Sequence, residues 1–143
     1  MKAFALIHPK SIEDATRLLA EGGGLDAIRP MGGGQDLLGT MKDYILTPDT
    51  VIDLKRIPNL DKINFDRKKG LRLGALVTIT ELEEHPDVKA HFPALAEAAH
   101  SIATVQIRNV GTVGGNLCQR PRCWYYRNEN IVCLKKGGNK CYA

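Results

Sequence analysis

Ala27-Ile28-Arg29-Pro30-Met31-Gly32-Gly33-Gly34-Gln35-Asp36-Leu37-Leu38 is an apolar stretch that runs directly into a glycine triplet. Glycines placed straight after a strand adopt backbone conformations closed to other residues and let amide N–H groups face a concave nest suited to phosphate oxygens. A tight turn leaving the strand accounts for the triplet equally well. The two commonest phosphate loops are excluded. Leu37 stands where the dinucleotide fingerprint has its third glycine, and Gly39 is followed by Thr40 where the P-loop needs lysine.

Working outward, Phe4–Ile7 reads as a strand, and Ser11 opens a helix with Asp14 as its capping-box-like partner and Ile12, Ala15, Leu18 and Leu19 on one face. Gly22-Gly23-Gly24 stops that helix, and Val51–Leu54 supplies a third strand. Beyond Pro58, Lys62–Phe65 and Leu71–Ala75 flank the charged turn Asp66–Gly70 as an antiparallel hairpin. Thr80 is expected to cap a short helix ending before Pro86, and Pro93 to start a longer one through Ile102. Glu81, Glu83 and Glu84 read as the solvated side of the short helix, and the four histidines as surface or capping residues. The pattern predicts an α+β chain. Residues 1–57 form a small βαβ lobe, 58–117 begin an antiparallel-sheet lobe, and 118–143 are an irregular Cys-rich segment.

A second glycine motif, Thr112-Val113-Gly114-Gly115-Asn116-Leu117, sets a hydroxyl and a carboxamide beside a glycine pair. It fits a phosphate or ribose contact, and a hairpin turn explains it almost as well. Two such loops on two lobes suit a long cofactor anchored on both sides of a cleft. A Cβ at Gly33 or Gly115 is then expected to exclude the diphosphate while leaving the fold intact.

The cysteines form one set, Cys118, Cys123, Cys133 and Cys141. Arg120, Arg122, Arg127, Lys135, Lys136 and Lys140 against Glu129 give Cys118–Ala143 a net charge of +5, which leaves the rest of the chain at −1 within the total of +4. Four thiolates in a short basic segment point to zinc or an iron-sulfur cluster ahead of disulfides. The surplus positive charge and Trp124, Tyr125 and Tyr126 suit an anionic cluster. No nucleophile and base arrangement is discernible.

The chain has 143 residues, 43% hydrophobic and 25% charged, enough for one core or two small lobes. No apolar run approaches the roughly 20 residues of a membrane span. Ala3–Ile7 is too short an apolar core for a secretory signal, which predicts a cytoplasmic protein. The near-neutral body shows no basic face for nucleic acid.

At Gly32–Leu38, Gly74–Leu82 and Gln106–Leu117, the chain resembles the FAD-binding subunit of molybdenum hydroxylases, the family of xanthine dehydrogenase, carbon monoxide dehydrogenase and 4-hydroxybenzoyl-CoA reductase. Asn116–Arg127 is similar to members whose cysteine-rich insert holds an extra 4Fe-4S cluster. The resemblance implies an FAD-binding type-2-like fold. It also implies that Met31, Gly32, Gly33, Gly34, Gln35, Asp36 and Leu37 grip the FAD diphosphate together with Thr112, Gly115 and Asn116, that Ile102 lies against the flavin, and that the four cysteines ligate the cluster. The partners it implies are a molybdopterin-binding large subunit, a 2Fe-2S small subunit and a carrier such as ferredoxin. The chain is then an oxidoreductase component, inactive alone, because the flavin does the redox chemistry. A rival reading is a non-catalytic module in which the cysteines bind zinc and the basic tail docks on a partner or on RNA.

Overall fold

The computed structural model describes residues 1–143. The first apolar run forms β1 (Ala5–Ile7), and the Ser11 hydroxyl caps α1 (Ile12–Glu21) by accepting the Asp14 amide at 3.1 Å. The Asp14 carboxylate does not close a capping box and pairs instead with Arg17 one turn on. Gly23 and Gly24, at φ of 78° and 92°, then turn the chain into β2 (Ile28–Met31). After α2 (Leu37–Lys42) comes β3 (Thr50–Asp53), which takes the middle of a wholly parallel sheet in the order β1-β3-β2. Leu6 and Arg29 both stand in register with Val51. As the central strand β3 is covered on both faces, and Val51 and Ile52 are fully buried. Each such side chain stabilises the fold by about 1.5–3 kcal/mol. Ala15, Ile28, Ile52 and Ile57 form the first core cluster, with Leu18 and Leu19 at its edge.

The hairpin comprises β4 (Ile63–Asp66) and β5 (Gly70–Leu73), antiparallel, with Ile63 opposite Leu73. The Asp66 carboxylate ties its turn by accepting the Lys68 and Lys69 amides. Three short helices follow: α3 (Ile79–Glu84), α4 (Pro86–His91) and α5 (Pro93–His100). Two expectations change here. Thr78, not Thr80, caps α3 through a full capping box with Glu81, and Pro86 opens a helix of its own as well as bounding the preceding one. Val77, Ile79, Leu82, Val88 and Ala99 form a second core cluster, flanked by Ile63, Leu71, Leu73 and Ile102.

The chain then makes α6 (Val105–Arg108) and α7 (Val113–Leu117). The second glycine motif is therefore a helix start and not a hairpin turn. Thr112 is its cap, accepting the Gly115 amide at 3.1 Å. Beyond Cys118 the only regular structure is a 3₁₀ turn at Leu134–Lys136. Tyr126 and Cys133 are nevertheless buried.

Candidate functional site

The two glycine loops meet. A Cβ built on Gly33 would lie 1.9 Å from the Val110 carbonyl oxygen and 2.8 Å from its carbon, so the first loop rests backbone to backbone on the second. Gly34, at φ 79°, adds a turn that a side chain would strain. The second loop is itself laced to the start of α3 and the segment before it: the Ile79 amide donates to Gly111 O, the Val113 amide to Val77 O and the Gly114 amide to Ala75 O, all at 2.8–2.9 Å. This apposition revises the expected role of Gly33, whose missing Cβ serves loop packing before any ligand contact. Gly115 differs, since its Cβ would meet only the Thr112 hydroxyl, at 2.9 Å.

Between the loops lies a cleft of about 840 Å³. Its walls include the whole of Met31–Leu37, together with Thr112, Gly115, Asn116 and Ile102. The expected cofactor residues thus share one concave surface. The apolar part of that surface, with Ile102 and Ile107, suits an aromatic ring, and the loop amides and Thr112 suit a polar tail.

Ile102 is fixed from behind. It sits in a turn where Ala103 has φ 46°, an uncommon conformation for alanine. The buried Arg108 donates to the Ile102 carbonyl at 3.0 Å and pairs with the Glu83 carboxylate at 3.0 Å. The other oxygen of Glu83 meets His100 Nδ1 at 2.7 Å. That hydrogen bond holds the Glu83 carboxyl below its ordinary range; partial desolvation opposes it, and the Arg108 charge adds to it. Glu81 is therefore a cap and Glu83 a brace; Glu81 and Glu84 remain exposed, and the solvated-face reading fails for Glu83 alone. His91 stacks on Phe65 with ring centroids 4.4 Å apart, and His100 is a partner to Glu83; neither approaches the loops.

The cysteine set is not gathered. Cys118 lines the cleft, Cys133 is buried elsewhere in the segment, Cys141 is exposed, and all four are free thiols. No group of three or more His, Cys, Asp or Glu side chains is placed to hold a metal ion. Neither a 4Fe-4S cluster nor a zinc ion fits the four side chains as they are arranged. What the segment does is attach to the first glycine loop. Asp36 has no cap hydrogen bond to α2; its carboxylate accepts the Arg120 amide at 2.9 Å and Arg127 Nη2 at 2.6 Å. Sequence reasoning missed this tether, and also missed Arg29, Arg120 and Arg122 in the cleft wall. The +5 charge of the segment, carried by three arginines and three lysines against Glu129, is the available signal.

The family profile described as FAD binding domain in molybdopterin dehydrogenase matches residues 2–123. The chain is 39% identical over 119 residues to the nicotinate dehydrogenase FAD-subunit of Eubacterium barkeri, covering 82% of this chain and 39% of that protein. It is 41% identical over 116 residues to the carbon monoxide dehydrogenase medium chain of Hydrogenophaga pseudoflava, covering 80% and 39%. A structure of carbon monoxide dehydrogenase from the same organism superposes with a TM-score of 0.73 at 39% identity over 80% of this chain and 39% of that one. Quinoline 2-oxidoreductase from Pseudomonas putida 86 gives 0.74 at 31% identity, over 82% and 40%. The chain spans about two fifths of the length of the relatives it matches. Its α+β architecture is of the FAD-binding type-2-like kind, and no helix is long and apolar enough to cross a membrane. Fold, glycine loops and sequence agree that this chain belongs to the family of FAD-binding domains of molybdopterin dehydrogenases.

Proposed function

We propose that the cleft between the two glycine loops holds FAD and that the chain is the flavin-gripping part of the FAD-binding subunit of a molybdenum-containing hydroxylase or dehydrogenase complex in the cytoplasm. The observation that carries this reading is the direct contact of Gly33 with the Val110 carbonyl, which closes two phosphate-type loops around one cavity of cofactor size. Residues 1–57 and 58–117 act as two lobes of that grip, with 118–143 as an appended segment. Thr112, Gly115, Asn116 and the Met31–Leu37 loop would hold the diphosphate end, and Ile102, braced by Arg108, would pack on the ring.

Bound FAD would supply two-electron redox chemistry, and the protein's share is orientation and exclusion of water. Electrons would arrive from a molybdopterin-binding large subunit through a 2Fe-2S small subunit and leave to a soluble carrier such as ferredoxin. A 4Fe-4S cluster on Cys118, Cys123, Cys133 and Cys141 is the finer reading, supported by the resemblance of Asn116–Arg127; the ungathered thiols do not fit it, and no electron step is assigned to it. The zinc reading meets the same obstacle.

The test is titration of the purified full chain with FAD, followed by flavin fluorescence and thermal unfolding. Binding that raises stability with ligand concentration, by about 2.7 kcal/mol at a hundredfold excess over Kd, is expected. No binding by the chain or by its complex with the partner subunits overturns the proposal.

A further inference from the structure

Three arginines line the flavin cleft, and only Arg29, on β2, comes from the first lobe; Arg120 and Arg122 come from the Cys-rich segment. The one carboxylate in that wall, Asp36, is already engaged by Arg127, which lies outside the cleft, and its nearest contact with Arg122 is 3.5 Å. The Arg29 side chain is only 11% exposed, and its Nε is buried without a hydrogen-bond partner. Its sole ionic partner is Asp26 at 3.2 Å, a carboxylate fully open to solvent. Burial, and next the like charge of Arg120, push the Arg29 guanidinium below its ordinary pKa. The Arg120 side chain has no ion pair; only its backbone amide is bound. A shallower recess of about 350 Å³ beyond Arg120 and Arg122 adds Lys135 and no acidic residue. Neighbouring guanidinium groups held together in a part-buried wall are costly unless an anion joins them.

We propose that Arg29 and Arg120, with Arg122 at the rim, form a cationic clamp for the diphosphate of the cofactor, so that the Cys-rich segment is a wall of the flavin site. The inference rests on the FAD reading above. Asp36 is its hinge: by binding the Arg120 amide it fixes where that guanidinium starts from. The Arg120 and Arg122 side chains are binding groups, acting on the anion through charge and not on the ring.

The test compares the full-length wild-type chain with Arg120→Gln, which keeps the backbone amide bound to Asp36, and with Arg122→Gln. Each is titrated with FAD, riboflavin and inorganic pyrophosphate, with thermal unfolding as a check on folding. Arg120→Gln is expected to weaken FAD and pyrophosphate about tenfold to a hundredfold, the worth of charge-assisted hydrogen bonds, and to leave riboflavin binding and the melting temperature unchanged. Arg122→Gln should have a smaller effect, since its side chain is 64% exposed. If wild type binds FAD and Arg120→Gln binds it equally, or loses riboflavin in the same proportion, the clamp is overturned and the FAD reading stands. If wild type binds pyrophosphate in an Arg120-dependent way but not FAD, the clamp stands and the FAD reading falls. Binding of neither removes both.

Discussion

Replacing Gly33 with alanine tests the loop contact on which the cleft depends. The new Cβ would start 1.9 Å from the Val110 oxygen, 2.8 Å from its carbon and 3.3 Å from the Gly111 Cα. Gly33 is not among the positive-φ residues, so alanine is tolerated by its own backbone and the whole effect is steric. To bring the oxygen contact out to 3.0 Å, the loops must separate by about 1 Å, and every atom in the way is main chain. Overpacking of this kind costs about 1–3 kcal/mol. For a chain of this size that is a melting-temperature loss of roughly 3–10 °C. The same separation widens the cleft, so the FAD dissociation constant should rise at least about tenfold, the effect of a 1.4 kcal/mol loss. Circular dichroism melts and flavin titration on one preparation measure both. A variant that melts within about 1 °C of wild type, by the same scaling, and binds FAD unchanged would refute the loop-apposition reasoning.

Gly115→Ala should separate the two effects: its Cβ opposes only the Thr112 hydroxyl, so FAD binding should fall while the melt stays near wild type, and a large stability loss would count against it. Thr78→Ala breaks the α3 capping box and should cost about 1 kcal/mol, which Thr78→Ser largely restores; equal melts for the three proteins would contradict that. The folded pKa of Glu83 lies below its ordinary value of 4.5, so its stabilisation is present above that value and is lost as pH falls through the lower folded value. The melting difference between wild type and Glu83→Gln should therefore be full at neutral pH and shrink in acid; a pH-independent difference would show that the brace is not ionic. A chelator should leave the main melt unchanged, because both core clusters lie outside the cysteine set, and unfolding on metal removal would reverse that view.

The β1-α1-β2 order and the hairpin were legible because their apolar residues repeat at strand and helix spacing and glycines mark their ends. The cap of α3 was not. Thr78-x-x-Glu81 and Thr80-x-x-Glu83 are overlapping capping-box sequences, and the fold selects the first by engaging Glu83 with Arg108 and His100. Thr80 is left to bond Asn109, 29 residues away. The short helices α2, α6 and α7 have too few residues to stand on propensity, and tertiary contacts made them. Arg29 reads as an ordinary strand residue, since nothing local says that Arg120 will line the same cleft.

The tether at Asp36 also bears on the order of events during synthesis. Its partners Arg120 and Arg127 lie 84 and 91 residues downstream. At about 5–20 residues per second on the ribosome, the aspartate waits roughly 5–18 s for the second of them. The parallel sheet has all its strands by Asp53 and can settle during that interval, whereas the cavity lacks its last lining residue until Arg122 has emerged and the Asp36 tether its last partner until Arg127 has. Contacts of such long sequence separation form late. The tether thus closes only after residues 118–127 have been made, and a nascent chain halted before them would present a finished sheet beside a cleft that lacks the wall formed by Cys118, Gln119, Arg120 and Arg122.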